Sequence, residues 1–370
     1  MSGREPARRI RLAILYGGRS AEHEVSVVSA RSMMAAIDLD KYDVVPIAIT
    51  KQGRWLLPAK TLEQLEATPG ALPGTGEEGT GVALVREGRE ATLRPLEGAS
   101  GAKGSGSVDV VFPVLHGPYG EDGTVQGMLE LAGVPYVGAG VLASALGMDK
   151  EMQKQLFASR GLRVVPHIHV HVEDWRRSPA RLVELAEGEI GFPCFTKPAN
   201  MGSSVGISKC RNVVELRAGL ETALSFDRKA LVERAIPARE LECAVLGNDE
   251  PEASIVGEVV PHHEFYDFGA KYLEEGSELR IPAPIPEQIS DEVRRVAIEA
   301  FRAIDCVGMA RVDFFYEDDS GTLYLNEINT IPGFTPISMY PKLWEASGVP
   351  YAKLIDRLIE LALERHGSPG

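Results

Sequence analysis

Short apolar runs closed by glycine or by turn residues recur along the first third of the chain, and between them apolar positions return every three or four residues. The first spacing reads as buried strands and the second as amphipathic helices. Ile10–Tyr16 is such a run, closed by Gly17-Gly18, and predicts a strand ending in a glycine turn. Ser20 is placed to cap a following helix whose Val25, Val28, Met33 and Ile37 fall roughly on one face. Val44–Ile49 and Val108–Leu115 predict further buried strands, and Thr124–Ala132 and Val141–Leu146 predict helices. Strands alternating with helices argue for an α/β fold with a doubly wound parallel sheet in the N-terminal part.

From Asp149 the texture changes. A helix over Asp149–Arg160 leads to strand-like Leu162–Val172, and Phe195–Lys197 and Val205–Cys210 flank a glycine-serine turn. Ala230–Arg234, Glu240–Leu246, Gly308–Tyr316 and Leu323–Asn329 predict strands. Ile285–Ile304 predicts a long amphipathic helix and Tyr351–Arg365 a closing one. Between Thr68 and Ser107 the composition shifts to Gly, Ala, Pro, Glu and Ser, and Gly98–Gly106 predicts a surface loop with no catalytic role. The 370 residues suffice for two or three domains of about 100–200 residues each.

Charge and cysteine usage narrow the function classes. A net charge of −14 argues against a nucleic-acid surface, although a few placed lysines can still hold phosphates. Cys194, Cys210, Cys243 and Cys306 are scattered without CxxC spacing, which argues against a zinc site or a disulfide framework. The basic N-terminus runs straight into the first strand rather than into a leader-like apolar region. No apolar run approaches the roughly 20 residues that span a bilayer. The expectation is a cytoplasmic protein with no membrane partner.

The densest chemistry lies near the C-terminus. Arg311 and Asp313 share a strand face because side chains alternate, and Glu327 and Asn329 share a face of the next strand. If the two strands pair antiparallel, Asp313, Glu327 and Asn329 converge with Arg311 beside them, a set of hard oxygen donors suited to Mg2+ and nucleotide phosphates. Taken singly, each pair also suits a solvated strand end. Lys197 opens the run KPANMGSSVG, where an ammonium and a small glycine-serine loop could surround phosphates; the spacing is not that of a Walker A loop. Glu233, Arg234, Ile236 and Glu240 flank a hinge-like segment that suits adenine and ribose, and solvated surface acids suit it equally. Glu22, after the first glycine turn, could meet a substrate ammonium or merely favour a helix N-terminus. His116 ends another strand of the same region. Phe265–Tyr272 (FYDFGAKY), with Lys271 and Tyr272, reads as a lid. His167, His169 and His171 share a strand face, and a hydrogen-bonded face fits them better than a metal site does.

Together these segments resemble the D-alanine–D-alanine ligases of the ATP-grasp superfamily. The carrying motifs are GGRSAEHEVS at 17–26, LHGPYGEDGTVQG at 115–127, GAGVLASALGMDK at 138–150, KPANMGSSVGIS at 197–208, ERAIPARELECAVLG at 233–247, FYDFGAKY at 265–272, RVDFF at 311–315 and NEINTIPGFTPISMYP at 326–341. They are collinear and leave out only 69–107 and the termini. The resemblance implies an N-terminal pre-ATP-grasp substrate domain over 1–148. A two-subdomain ATP-grasp fold follows, with a central subdomain over 149–232 and a C-terminal one over 233–370 that bears the metal and catalytic site.

By the same resemblance, Lys150, Lys197 and lid Lys271 contact the ATP phosphates, Glu233, Arg234 and Ile236 the adenine, and Glu240 the ribose. Asp313, Glu327 and Asn329 hold two Mg2+ ions, for which Mn2+ could substitute, and whether a monovalent cation such as K+ joins them is left open. Glu22 takes the first D-alanine's ammonium, and His116 lines its pocket. Glu22, Ser203 and Tyr272 form a trio that closes the lid. Arg311 and the Gly333 N–H stabilise a tetrahedral intermediate, and Ser338 with the Met339 N–H holds the second carboxylate. A homodimer is implied. Met201 and Arg234 depart from residues seen in other members, while Tyr272 favours an amine as second nucleophile. The alternatives are a D-alanine–D-lactate or D-alanine–D-serine ligase, or a non-catalytic ATP-grasp nucleotide-binding protein.

Overall fold

In the computed structural model, which describes residues 8–59, 74–88, 90–96, 104–261, 277–335 and 337–367, the first apolar run forms β1 (Ile10–Gly17). It leads through α1 (His23–Ala36) to β2 (Tyr42–Ile49), which lies parallel beside it. β3 (Trp55–Pro58), β4 (Gly79–Glu87), β5 (Glu90–Pro95) and β6 (Gly106–Val108) then extend the sheet by antiparallel steps. β7 (Val110–Val114) returns to the far side of β1, again parallel, to give the order β6-β5-β4-β3-β2-β1-β7. α2 (Thr124–Ala132) follows.

The parallel centre is as expected, and the antiparallel extension is new. Gly79–Pro95 falls in the glycine-rich stretch, where composition averaged over many residues hides two short apolar runs. Val82, Ala91 and Leu93 from those runs are buried in one core with Val45, Ile47 and Leu57. The predicted strand Val108–Leu115 divides at Asp109, whose carboxylate accepts the Arg11 N–H at 2.8 Å and whose neighbours pair with different strands.

Ser20 does not cap α1. The helix begins at His23, with Glu22 in the cap position and no side-chain cap bond, while Ser20 Oγ accepts the Glu22 N–H at 3.2 Å within the preceding turn. That turn needs glycine at its start. Gly17 has φ +90°, a left-handed conformation, and a Cβ there would collide with the Ile49 carbonyl.

The middle of the chain forms a second compact unit, 142–246 with 251–330. Its elements run α3 (Val141–Met148), α4 (Lys150–Ser159), β8 (His167–His171), α5 (Val172–Arg177), α6 (Pro179–Glu189), β9 (Cys194–Pro198), β10 (Ser208–Cys210), α7 (Val213–Phe226) and β11 (Lys229–Arg234). They continue with β12 (Arg239–Gly247), β13 (Glu252–Pro261), β14 (Ser277–Arg280), α8 (Glu287–Ala303), β15 (Gly308–Glu317) and β16 (Thr322–Asn329). Two sheets result, β10-β9-β11-β8 and β14-β13-β12-β15-β16. The first buries Ile168, Val170 and Val232 under Val183 of α6 and Leu216 and Leu220 of α7. α8 buries Val293, Val296, Ala297, Ala300 and Phe301, one stripe at helical spacing.

α9 (Met339–Ala346) and α10 (Tyr351–Gly367) belong to the first unit, together with the described residues up to Val141 and with 247–250. α10 buries Leu354, Ile355, Leu358, Ile359, Leu361 and Ala362. Asp356 receives Lys41 Nζ at 2.7 Å and Tyr42 Oη at 3.0 Å, and the Arg365 guanidinium lies over the Tyr136 ring at 4.4 Å. This return is not legible along the sequence, because an amphipathic stripe does not say which core it covers.

Leu358 is fully buried on α10. Leu358→Ala should destabilise the first unit by about 2–5 kcal/mol through lost burial and the cavity left behind. A lowered urea midpoint checks this, and an unchanged midpoint would show that α10 contributes little to that core.

Candidate active site

β15 and β16 pair antiparallel in the register Arg311↔Asn329, Val312↔Ile328 and Asp313↔Glu327. The alternation that sends Val312 and Ile328 into the core therefore turns Arg311, Asp313, Glu327 and Asn329 to the other face. Arg311 binds Asp313 with both arms, Nε to Oδ1 and Nη2 to Oδ2 at 2.7 Å each, and its Nε lies 2.9 Å from Glu242 Oε2 on β12. Asn329 Nδ2 donates to Asp313 Oδ2 at 3.0 Å, which leaves the amide oxygen directed elsewhere. Burial works against the charge on Arg311, but Asp313 and Glu242 outweigh it and hold the guanidinium well above its usual range.

α4 brings two lysines to this face. Asp149 caps the helix by accepting the Glu151 and Met152 N–H groups and also binds Lys229. Lys150 Nζ lies 3.2 Å from Glu327 Oε2 and donates to the Met201 carbonyl at 3.0 Å, which ties Glu327 to the glycine-serine loop. One turn on, Lys154 is 1% exposed; its Nζ donates to the Asn326 carbonyl and forms an ion pair with Glu233 Oε1, each at 2.9 Å. Gln153, between them, accepts the Ile328 N–H at 3.0 Å and so seats α4 on β16.

Lys197 on β9 pairs with the other Glu233 oxygen, Oε2. Glu233 is 1% exposed, so the reading of it as a solvated surface acid is corrected: β11 places it between β8 and β9 with its side chain against two ammonium groups. Burial opposes its ionised form, but Lys154 and Lys197 outweigh burial and hold it well below the usual carboxylate range. Burial lowers Lys154, whereas Glu233 more than offsets burial at Lys197 and raises it.

After Lys197 the chain enters a loop in which Ser203 and Ser204 both have positive φ, +48° and +60°. Left-handed conformations are costly for serine and concentrate where a backbone must present its amides to a ligand. Beyond Glu233, the Arg234 N–H donates to the Pro166 carbonyl at 3.0 Å, the Arg234 side chain is exposed, and Ile236 and Glu240 are half-buried.

The first unit collects the remaining candidates. Glu22 is buried, and its Oε2 lies 3.3 Å from where a Cβ on Gly117 would stand. His116 Nδ1 is 3.1 Å from the Ile331 carbonyl, at the start of the segment that carries Gly333. Ser338 caps α9 at its backbone, and Met339 is the first residue of that helix, so the N-terminal amides there lack intrahelical acceptors and suit an anion. Ser338 Oγ accepts the Thr335 N–H at 3.0 Å and meets Thr335 Oγ1 at 2.7 Å. Gly333 packs so closely that a Cβ would come within 2.8 Å of Ser338 Oγ. Lys271 and Tyr272, with the rest of the expected lid over 265–272, lie outside the described residues; Glu22 and Ser203 belong to different units.

Four residues here carry no role in the sequence reading. Lys154 and Glu242 are ordinary charged positions by spacing, and only burial singles them out. His23 Nε2 accepts the Thr75 N–H at 3.3 Å and so donates through Nδ1 to the Gly18 carbonyl at 2.7 Å, fixing the turn before Glu22. Thr335 holds Ser338. The three strand histidines divide: His167 meets the Val165 carbonyl at 2.9 Å, while His169 and His171 lie 3.9 and 3.7 Å from Glu151. Among the described residues no cluster of three or more His, Cys, Asp or Glu is arranged to hold a metal, so the donors at Asp313, Glu327 and Asn329 need further oxygens to complete a shell.

Two family models match the chain, one described as D-ala D-ala ligase N-terminus over residues 11–139 and one as D-ala D-ala ligase C-terminus over 156–360. A D-alanine–D-alanine ligase of Geobacillus kaustophilus is 49% identical over 366 residues, covering 97% of this chain and 96% of the relative. One from Streptomyces griseus is 50% identical over 376 residues, covering 98% and 95%. Among solved structures, the D-alanine–D-alanine ligase from Coxiella burnetii superposes with a TM-score of 0.83 at 35% identity, covering 98% of this chain and 96% of its own. The VanG D-Ala:D-Ser ligase from Enterococcus faecalis superposes with a TM-score of 0.80 at 33% identity, covering 96% and 100%.

The buried Glu233 generates a pH prediction. Its folded pKa lies below the ordinary glutamate value of 4.5, so its stabilisation is fully present above 4.5 and is lost as pH falls through the folded value. Glu233→Gln should therefore lower the melting temperature at neutral pH and flatten its decline between about pH 5 and pH 3. Parallel wild-type and variant curves would contradict the ion-pair assignment.

Proposed function

Because the chain belongs to the D-alanine–D-alanine ligase family, we propose that it joins two D-alanines into D-alanyl-D-alanine with ATP, releasing ADP and phosphate, for peptidoglycan precursor synthesis. The observation that supports this most is the β15–β16 register, which sets Arg311, Asp313, Glu327 and Asn329 on one face beside Lys150. A carboxylate is a poor acyl donor. The first D-alanine carboxylate therefore attacks the γ-phosphorus, ADP leaves, and a D-alanyl phosphate forms. The amine of the second D-alanine then attacks that acyl carbon, a tetrahedral species forms, and phosphate leaves as the peptide bond closes.

Roles follow the chemistry of each group. In the first unit Glu22 takes the first ammonium, His116 lines its pocket, and Ser338 with the Met339 N–H takes the second carboxylate. The Thr335 hydroxyl at Ser338 Oγ can donate, which frees the serine proton for that carboxylate. Gly333 N–H and Arg311 are assigned to the developing oxyanion, where removing one donor typically costs roughly 10²–10³ in rate. In the second unit Lys150 and Lys197 take the nucleotide phosphates, joined by Lys271, and Glu240 takes the ribose. The Glu233 carboxylate is committed to two lysines, so adenine recognition is assigned mainly to the backbone through Arg234 and Ile236. Asp313, Glu327 and Asn329 offer the hard oxygens that fit two Mg2+ ions, which when bound neutralise charge between the nucleotide phosphates. Glu242 can retain the Arg311 guanidinium when Asp313 turns to a cation.

The proposal extends to the division 1–148, 149–232 and 233–370, to lid closure by Glu22, Ser203 and Tyr272, to Mn2+ and K+ as accessory ions, and to a cytoplasmic homodimer. Among the described residues no helix is long and apolar enough to cross a membrane. The likeness to a D-Ala:D-Ser ligase makes D-serine the second reading for the second substrate.

Phosphate release from ATP with D-alanine, L-alanine, D-lactate and D-serine, with products identified by mass spectrometry, tests the reading. D-alanyl-D-alanine should dominate and L-alanine should give essentially none, because misplacing the nucleophile by about 1 Å costs on the order of 10²-fold. A comparable yield of L-alanyl-L-alanine would overturn the assigned substrate. Glu327→Gln should abolish turnover while leaving the circular dichroism spectrum unchanged; full activity at saturating Mg2+ would remove Glu327 from the metal set.

A further inference from the structure

We propose that Lys154 is a positioning residue for the nucleotide phosphates: by occupying one oxygen of Glu233, it leaves Lys197, on the other oxygen, with charge to offer an incoming phosphate. The inference rests on the ligase reading above and adds to it a residue outside the phosphate-contacting set.

The geometry is a carboxylate divided between two ammonium groups. Glu233 Oε1 faces Lys154 Nζ at 2.9 Å and Oε2 faces Lys197 Nζ. All three groups are buried or nearly so, with side chains 1%, 2% and 12% exposed for Lys154, Glu233 and Lys197. Two positive groups and one negative leave one net positive charge at the strand ends. Without Lys154, Glu233 and Lys197 form a neutral pair, and the carboxylates of Glu240 and Glu327 also act on Lys197. An arriving polyphosphate would then meet no net attraction at β9.

Lys154 also sets where that charge stands. Its bond to the Asn326 carbonyl anchors it one residue before Glu327. Lys150 and Lys154 are one turn apart on α4 and face the same way. The helix thus reaches Glu327 with one lysine and Glu233 with the other, which links the β11 end to the β16 end. A merely architectural lysine would support the nucleotide as a whole; a charge-sharing one supports its phosphates in particular.

Calorimetric titration of ADP with Mg2+, and displacement of ADP by adenosine, separate these roles in wild type, Lys154→Met and the double variant Lys154→Met/Glu233→Gln. Lys154→Met should weaken ADP by about tenfold or more while adenosine changes by less than about twofold, since a lost unit charge acts on phosphate and not on the base. The double variant restores one net positive charge, so its ratio of adenosine to ADP dissociation constants should return to near the wild-type ratio. If Lys154→Met does not fold, the double variant, which buries neither charge, carries the test through that ratio. An unchanged ADP affinity in Lys154→Met overturns the inference, as does an equal loss of ADP and adenosine, or a double variant whose ratio stays low. In each case wild-type ADP binding leaves the ligase reading standing; a wild-type chain that binds no ADP overturns both.

Discussion

Glu233 divides its two oxygens between Lys154 and Lys197, and much of the second unit is arranged around that division. A charge removed from water must be paired where it stands, and breaking such a pair by removing one partner typically costs about 3–5 kcal/mol. The three groups come from α4, β9 and β11, so satisfying them holds a helix and two neighbouring strands in one arrangement. Lys154 extends the tie to β16 through Asn326, and Lys150 extends it to Glu327 and the loop after β9. The same contacts that stabilise the unit therefore fix the separation between Lys150 and Lys197 on one side and Glu327 on the other.

The first unit solves a related problem with neutral groups. β1 and β7 end side by side, and Ser26 from α1 receives the Gly17 N–H at 2.7 Å and donates to the Val114 carbonyl. His23 then fixes the Gly18 carbonyl and the Thr75 N–H. With the turn held from both sides, Glu22 is delivered buried at the head of α1. The carboxylate subsite proposed for this unit would rely on helix-terminal amides at Ser338 and Met339 and on Thr335. Under the proposed function, ammonium groups would serve phosphates in one unit and oriented amides would serve a carboxylate in the other. This matches the greater charge of a polyphosphate.

Arg311 joins structure to chemistry most directly. Its guanidinium is held by Asp313 and Glu242 at once, so its charge and direction exist before any ligand arrives. A preorganised cation needs no reorganisation when negative charge develops beside it, which is the usual source of large electrostatic contributions to rate. Glu242 gives Arg311 a partner other than Asp313.

The pattern of residues was enough to determine the central parallel strands, and that Arg311 shares a strand face with Asp313 and Glu327 one with Asn329; the antiparallel pairing that brings the four together was decided by the tertiary structure. The strands and their faces follow from local periodicity: alternation assigns a strand's faces before its neighbours are known. Strands β4 and β5 were not legible, because their few apolar residues sit in a composition dominated by glycine and glutamate. Ser20 stands at a cap spacing without capping, because a glycine turn of this kind delays the helix by a geometry that spacing does not encode. The burial of Glu233, the parts of Lys154 and Glu242, and the return of α10 to the first unit were decided by tertiary structure alone. Whether a charge is paired, and which core an amphipathic helix covers, depends on groups distant in sequence that only packing brings within reach.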